Sequence, residues 1–95
     1  MSDALNAARQ LRDDIAVSLR AVSWLVNHGL RPILQTSGDG RPWVMVAHDP
    51  HRVAVLKQLY EGRVVSRSRT PRGHLNRWEA HVDGCTVAWL EELTL

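Results

Sequence analysis

The sequence predicts an α+β fold: an antiparallel sheet of about five strands with a long N-terminal helix and a short second helix. Two observations predict this class. Apolar residues recur at helical spacing near the N-terminus, and later segments alternate apolar with polar residues between turn signals. The predicted element order is α-β-β-α-β-β-β. The chain has 95 residues, 44% of them hydrophobic, which suits a single domain over residues 1–95.

The long helix is predicted over residues 3–28. Its apolar stripe includes residues that recur every seven positions: Ala8, Ile15 and Val22. Ser2 or Asp3 can cap the first amides, and Gly29 followed by Pro32 is a helix stop. The stripe is wider than one small sheet needs, so a homodimer through the N-terminal helix is one of the assemblies we consider.

Two strands are predicted next, over residues 32–37 and 41–48. The segment between them, Gly38-Asp39-Gly40, has the glycines that a hairpin turn requires. It is too short for a phosphate-binding loop, which also needs a following helix. Both faces of the second strand are apolar, so we expect that strand to lie centrally in the sheet.

Asp49-Pro50 is a helix start, and it predicts the second helix over residues 50–61 with Gly62 at its end. Three further strands follow. They are predicted over residues 63–70, 75–83 and 85–91, with turns at Pro71-Arg72-Gly73 and Asp83-Gly84.

Composition excludes several classes of protein. Cys85 is the only cysteine, so the chain has no internal disulfide and fits a reducing compartment. Neither a signal sequence nor an apolar run of membrane-spanning length is visible, and we expect a cytoplasmic protein. The net charge is only +2, so a functional electrostatic feature has to be local.

A cluster of arginines is the most informative local feature, because no acid interrupts the chain between Glu61 and Glu79. Strand alternation places Arg63, Arg67 and Arg69 on one face. Guanidinium groups bind carboxylates and phosphates in bidentate geometry, so an acidic host protein or nucleic acid is the expected partner. The predicted binding residues are Arg63, Arg67, Arg69, Arg72, His74 and Arg77.

A different interpretation of the same hairpin is a salt-bridged, solvated sheet face. Arg77, Glu79, His81 and Asp83 alternate on one face of the next strand, and Glu79 and Asp83 can neutralise the arginines across the pair. Specific base recognition is disfavoured, because neither a helix-turn-helix nor an RNA-recognition aromatic motif is present.

Histidines and the cysteine have metal-like spacings, H-x2-H at His48 and His51 and H-x3-C at His81 and Cys85. The predicted elements point these side chains in unrelated directions, so we predict no metal and no cofactor. A nucleophile built from Cys85, His81 and Asp83 is disfavoured by the same geometry, and Cys85 is expected to be a small core residue. No catalytic residue is predicted, and the chain is not expected to be an enzyme.

Four tryptophans allow two interpretations: a base-stacking platform beside the arginines, or ordinary core packing. Three of the four fall in alternating strand patterns, which favours the core. The tryptophans are Trp24, Trp43, Trp78 and Trp89.

Two strand patterns, Arg41-Pro42-Trp43-Val44-Met45-Val46 and Gly84-Cys85-Thr86-Val87-Ala88-Trp89, resemble those of small accessory proteins carried by bacteriophages and prophages of proteobacteria. The resemblance implies an accessory or inhibitor protein that binds a host protein or masks a nucleic-acid site, with an anti-CRISPR type of role among the options. We therefore expect a non-enzymatic binding module acting by protein-protein contact through the arginine-rich hairpin. The alternative is a nucleic-acid-binding protein without sequence specificity.

Overall fold

A computed structural model describes residues 2–36 and 42–94, and it confirms the α+β class and the predicted order of elements. The elements are α1 (Asp3–Asn27), β1 (Pro32–Thr36), β2 (Trp43–Val46), α2 (Pro50–Leu59), β3 (Arg63–Thr70), β4 (Gly73–Val82) and β5 (Cys85–Thr94). The predicted turn at Gly38-Asp39-Gly40 lies outside the described residues, as do the predicted strand ends at 37 and 41.

Both ends of α1 follow from local sequence. The Ser2 hydroxyl accepts a hydrogen bond from the Leu5 amide at 3.3 Å, which satisfies one of the free donors in the first turn. At the other end Gly29 adopts a positive φ of 79°, and the Leu30 amide donates to the Leu25 carbonyl at 2.9 Å. This is the left-handed helix stop that the glycine predicts.

The short helix α2 begins where its sequence predicts, and it ends at Leu59, two residues before the predicted end at residue 61. The Asp49 carboxylate accepts from the amides of His51 and Arg52, and Pro50 occupies the first turn. The Gly62 amide donates to the Leu56 carbonyl at 3.1 Å just beyond the helix. Among the described residues, no helix is both long and apolar enough to cross a membrane.

The five strands form one sheet in the order β1-β2-β5-β4-β3. Three of the neighbouring pairs are antiparallel, as predicted, but β2 and β5 pair parallel. The chain crosses from β2 through α2 to the far edge of the sheet, and β3 and β4 then step back towards β2. The expectation that β2 is a central strand agrees with this order, because β2 lies between β1 and β5, while β5 is the middle strand of the five.

The core lies between the sheet and the two helices, which cover the same face. We call this the helix face and the opposite side the open face. Trp89 at the middle of β5 is fully buried on the helix face, beneath a cluster from both helices and three strands. The largest fully buried side chains are Trp89, Leu25, Leu56, Val44, Val46, Val53, Val82, Val87 and Cys85. The prediction that Cys85 is a core residue is confirmed.

The molecule is elongated, with extents of 57 × 29 × 20 Å. The elongation arises because the ends of β3, β4 and β5 near the β3–β4 turn extend beyond the cover of the helices. On the helix face Leu93 of β5 pairs with His74 of β4, and Leu93 is about half exposed. β3 is the outer strand of this projection, and seven of its eight residues are exposed.

Candidate functional site

A β-bulge in β3 divides the predicted arginine row between the two faces of the sheet. Arg63 lies opposite Glu79, whereas Arg67 lies opposite Asn76, because the register shifts between Val64 and Ser66. The extra residue moves every later side chain of the strand to the other face. The prediction that Arg63, Arg67 and Arg69 share a face is therefore wrong: Arg63 belongs to the open face.

Arg67 and Arg69 lie on the helix face, beyond the part of the sheet that the helices cover. The Arg67 Nε donates to Asn76 Oδ1 at 2.8 Å. Arg69 pairs in register with His74, which is partly buried. Alternate residues of a strand lie about 7 Å apart, so the two guanidinium groups follow one another along the same side of the hairpin.

Arg77 is compensated and does not join this group. It lies on the open face, where its Nε is 3.3 Å from Glu79 Oε2 and its guanidinium carbon is 5.2 Å from the centre of the Trp43 ring. This ion pair lies within β4, whereas the salt-bridged interpretation expected Glu79 and Asp83 to pair with arginines across the strands. Asp83 lies in the β4–β5 turn with a positive φ, and within the described residues it forms no ion pair with an arginine.

Three of the predicted binding residues keep uncompensated charges. In the described ranges, 2–36 and 42–94, no ion pair or side-chain hydrogen bond involves Arg63, Arg69 or Arg72. Arg67 has a neutral partner in Asn76, so its charge is also retained. The charge that the sequence concentrates in this hairpin therefore persists at its tip.

The nearest carboxylate on the helix face is already engaged elsewhere. Glu91 pairs in register with Asn76, but its Oε2 lies 2.8 Å from Lys57 Nζ and accepts from Trp89 Nε1 at 2.8 Å. Burial raises the pKa of Glu91, yet the hydrogen bonds from Lys57 and Trp89 outweigh burial and hold its pKa below the ordinary value of 4.5. This carboxylate is held towards α2 and leaves the arginines unpaired.

At the hairpin tip the free cations surround a cleft of about 350 Å³. Arg69, Arg72 and His74 line it, and the Thr70 hydroxyl beside them is buried without a hydrogen-bond partner among the described residues. An incoming carboxylate or phosphate can meet both guanidinium groups. We call Arg67, Arg69, Arg72 and His74 the hairpin site.

The other candidate chemistry does not assemble. Cys85 is fully buried on α1's side of the sheet, and burial raises the pKa of its thiol to about 11 despite a hydrogen bond from Ser18. His81 is exposed and its Nδ1 contacts Thr86 Oγ1 at 3.3 Å, so it points away from Cys85. Within the described part of the chain, no three His, Cys, Asp or Glu side chains lie together as a metal site.

The tryptophans occupy three separate environments and form no common platform. Trp78 and Trp89 stack at 5.8 Å beneath the Lys57 ammonium, which is 4.0 Å from the Trp78 ring. Trp24 contacts His28 and Tyr60, and Trp43 lies on the open face under Arg77. Trp78 lies on the same face as Arg67, two positions along β4 from Asn76, and its ring is covered by Lys57.

Sequence reasoning missed Asn76, which orients Arg67 of the hairpin site. Its side chain is of ordinary polarity, and only the bulged register places it opposite Arg67. Comparisons of the chain with protein-family models, with curated proteins and with solved structures found no match. Function is therefore argued from the geometry of the site.

Proposed function

We propose that this chain is a non-enzymatic binding module whose hairpin site contacts an acidic segment of a protein partner. An accessory or inhibitor role, as implied by the resemblance to phage proteins, is part of the same proposal. The observation that carries it is the pair Arg69 and Arg72, which flank one cleft without a carboxylate partner among the described residues. Arginine is the side chain best suited to paired hydrogen bonds with carboxylates.

The form of β3 favours an extended partner segment. β3 is an edge strand, so one side of its backbone is free to pair with another strand. A partner strand running beside its end would present alternate side chains to the helix face at about 7 Å intervals. Acidic residues at alternate positions would then meet Arg67 and Arg69.

Nucleic acid fits the site less well than an acidic protein does. Binding of a single strand usually combines cations with exposed aromatic rings on which bases stack. Trp78, the ring on the same face as Arg67, is half-buried with Lys57 over it, so it is not an exposed surface on which a base can stack. The number of free arginines is also small for a surface that has to track a phosphate backbone.

Fluorescence anisotropy tests the proposal with two labelled probes, a polyglutamate peptide and a single-stranded oligonucleotide. The variant Arg69→Glu/Arg72→Glu should lose binding of the peptide, because repulsion replaces two charge-assisted contacts. The matched control is Arg31→Glu/Arg52→Glu, which makes the same change in net charge at two exposed positions outside the hairpin.

The control should bind the peptide with at most a small loss from the altered net charge. Equal losses in the two variants would mean that net charge alone drives binding, and the hairpin site would be rejected. Tighter, strongly salt-dependent binding of the oligonucleotide would replace the proposed partner with nucleic acid. Binding of neither probe would contradict an acidic partner of either kind.

A further inference from the structure

The two edges of the sheet have opposite chemical character. The β3 edge has arginines, whose like charges discourage pairing between identical strands, whereas a register shift is present in both edge strands. β1, the other edge, contains no charged residue, and Ile33 and Leu34 are 54% and 53% exposed. An uncharged, apolar edge strand is a template for pairing with another strand.

An apolar surface of α1 adjoins this edge. Ile15 is 50% exposed and Leu19 is 64% exposed, and both lie on the side of the helix nearest β1, where Gln35 reaches α1 and donates to Ser18 Oγ at 3.3 Å. Ile15, Leu19, Val22 and Gln35 together border an apolar hollow of about 200 Å³. The exposed Leu19 side chain and the apolar hollow therefore lie on the same surface of the chain.

The first part of α1 also lacks a cover. All residues from Asp3 to Asp13 are exposed, and burial begins only at Asp14. Isolated helices of this length are marginal in water, and tertiary packing usually supplies their stability. Leu5 and Leu11 on this segment are about two-fifths exposed, so a partner that packs against it removes apolar surface from water.

Charge indicates what kind of partner fits. The exposed charges of α1 are two acids (Asp3 and Asp13) and three bases (Arg9, Arg12 and Arg20), since Asp14 is buried, and β1 has no charge. The surface therefore has only one base in excess, and it selects neither a strongly acidic nor a strongly basic partner. A second copy of the same surface meets it with only weak repulsion.

Because Ser18 of α1 and Gln35 of β1 are in contact, one twofold axis can bring both α1 and β1 against their copies in a second chain. This contact places the middle of α1 within reach of β1, while the hydrogen bond between Ser18 and Cys85 shows that the same part of the helix also reaches β5. An axis perpendicular to the sheet at this point would pair β1 antiparallel with its copy and α1 antiparallel with its copy. With the axis between Ile15 and Leu19, Ile15 of one copy faces Leu19 of the other copy. The exposed N-terminal half of each helix then covers Val26 of the other copy.

We propose that this chain forms a twofold dimer through β1 and α1, with one continuous sheet of ten strands. The surface that α1 contributes is about 37 Å long and about 10 Å wide. β1 adds further area to this surface, and a standard interface buries about 800 Å² per partner. The two hairpin sites would then lie on the outermost strands, nine strand spacings or about 43 Å apart. This proposal is independent of the function proposed for the hairpin site.

Light scattering coupled to size-exclusion chromatography tests the dimer with the full chain. The expected mass is twice 10.7 kDa, and Leu19→Arg should return it to 10.7 kDa. The matched control is Leu59→Arg, because Leu59 is 67% exposed on α2, away from the proposed interface. Circular dichroism of both variants checks that they remain folded, as expected for changes at exposed positions.

Crosslinking locates the axis. A mixture of Ile15→Cys and Leu19→Cys proteins should oxidise mainly to a mixed disulfide dimer, whereas Leu59→Cys should not crosslink. Cys85 does not interfere because it is buried. A mass of 10.7 kDa at every concentration would overturn the proposal, and so would a dimer that survives Leu19→Arg or separates with Leu59→Arg.

Discussion

Arg67 donates its Nε–H to Asn76 Oδ1 at 2.8 Å across the β3–β4 pair, so this guanidinium is held in place by a neutral group. A carboxylate at position 76 would make the same hydrogen bond and cancel the charge. The choice of an amide thus combines a fixed orientation with a retained positive charge. Orientation without neutralisation is what a site for an anionic partner requires.

The first prediction tests this relationship with Asn76→Asp. We expect binding of an acidic peptide to weaken by about three- to tenfold, on the order of 1 kcal/mol, because the new carboxylate competes for Arg67. The matched control is Asn6→Asp, an exposed position on α1 that makes the same change in charge. An equal loss of affinity in the control would show that Arg67 has no special part in binding.

Glu91 gives a prediction for stability against pH. The pKa of Glu91 is lower in the folded chain than its ordinary value of 4.5. The stability that the ionised Glu91 contributes is therefore complete above pH 4.5, and it is lost as the pH falls through the lower pKa of the folded chain. Urea unfolding of wild type should therefore lose stability in this acidic range. Glu91→Gln should cost on the order of 1 kcal/mol at neutral pH, and it should remove part of the acid dependence.

Glu92→Gln is the control for Glu91, since Glu92 is exposed and lies on the opposite face of β5. Glu92→Gln should have a smaller effect than Glu91→Gln on the free energy of unfolding at neutral pH. It should also have a smaller effect on how that free energy falls with pH in the acidic range. An acid dependence that is the same in wild type and in Glu91→Gln would mean that other carboxylates cause it.

Cys85 should resist modification in the native protein. Its side chain is fully buried and its thiol pKa is raised to about 11, so both access and thiolate formation are suppressed. A thiol reagent at neutral pH should label the chain only when urea unfolds it. Rapid labelling of native protein, measured by mass spectrometry, would contradict the described packing of α1 over Cys85.

Gly62 tests the packing between α2 and the middle strand. A Cβ at this position would lie 2.9 Å from Trp89 Cη2 and 3.3 Å from the Leu56 carbonyl oxygen. We expect Gly62→Ala to lower the free energy of unfolding by about 1–3 kcal/mol. Phenylalanine lacks the Cη2 atom, so Gly62→Ala should lower the free energy of unfolding by less in a Trp89→Phe background. Equal losses in the two backgrounds would show that the backbone contacts cause the effect.

The elements of the fold were largely predictable because their signals are local. The N-cap at Asp49, the stop at Gly29 and the bounds of β3 all follow from a few adjacent residues. The strand order was not predictable, because no residue pattern within β2 or β5 indicates that these two strands pair. That pairing depends on how α2 packs against the strands that follow it.

The site was predictable in composition but not in arrangement. The run from Arg63 to Arg77 identifies a cationic hairpin, and strand alternation then fails at the bulge near Val65. No side chain in the sequence marks that bulge, and its effect is to separate Arg63 from Arg67. The neutralisation of Arg77 by Glu79, two positions along the same strand, was not predicted, because the alternative interpretation considered only pairs across the strands.

The central claim is that the uncompensated arginines at the hairpin tip form the contact surface. The most direct test is a titration of the isotopically labelled full chain with polyglutamate peptide, followed by amide chemical shifts in NMR spectra. The account predicts shifts concentrated at residues 67–74, and their loss in Arg69→Glu/Arg72→Glu. Shifts concentrated on α1, or no shifts at any peptide concentration, would contradict it.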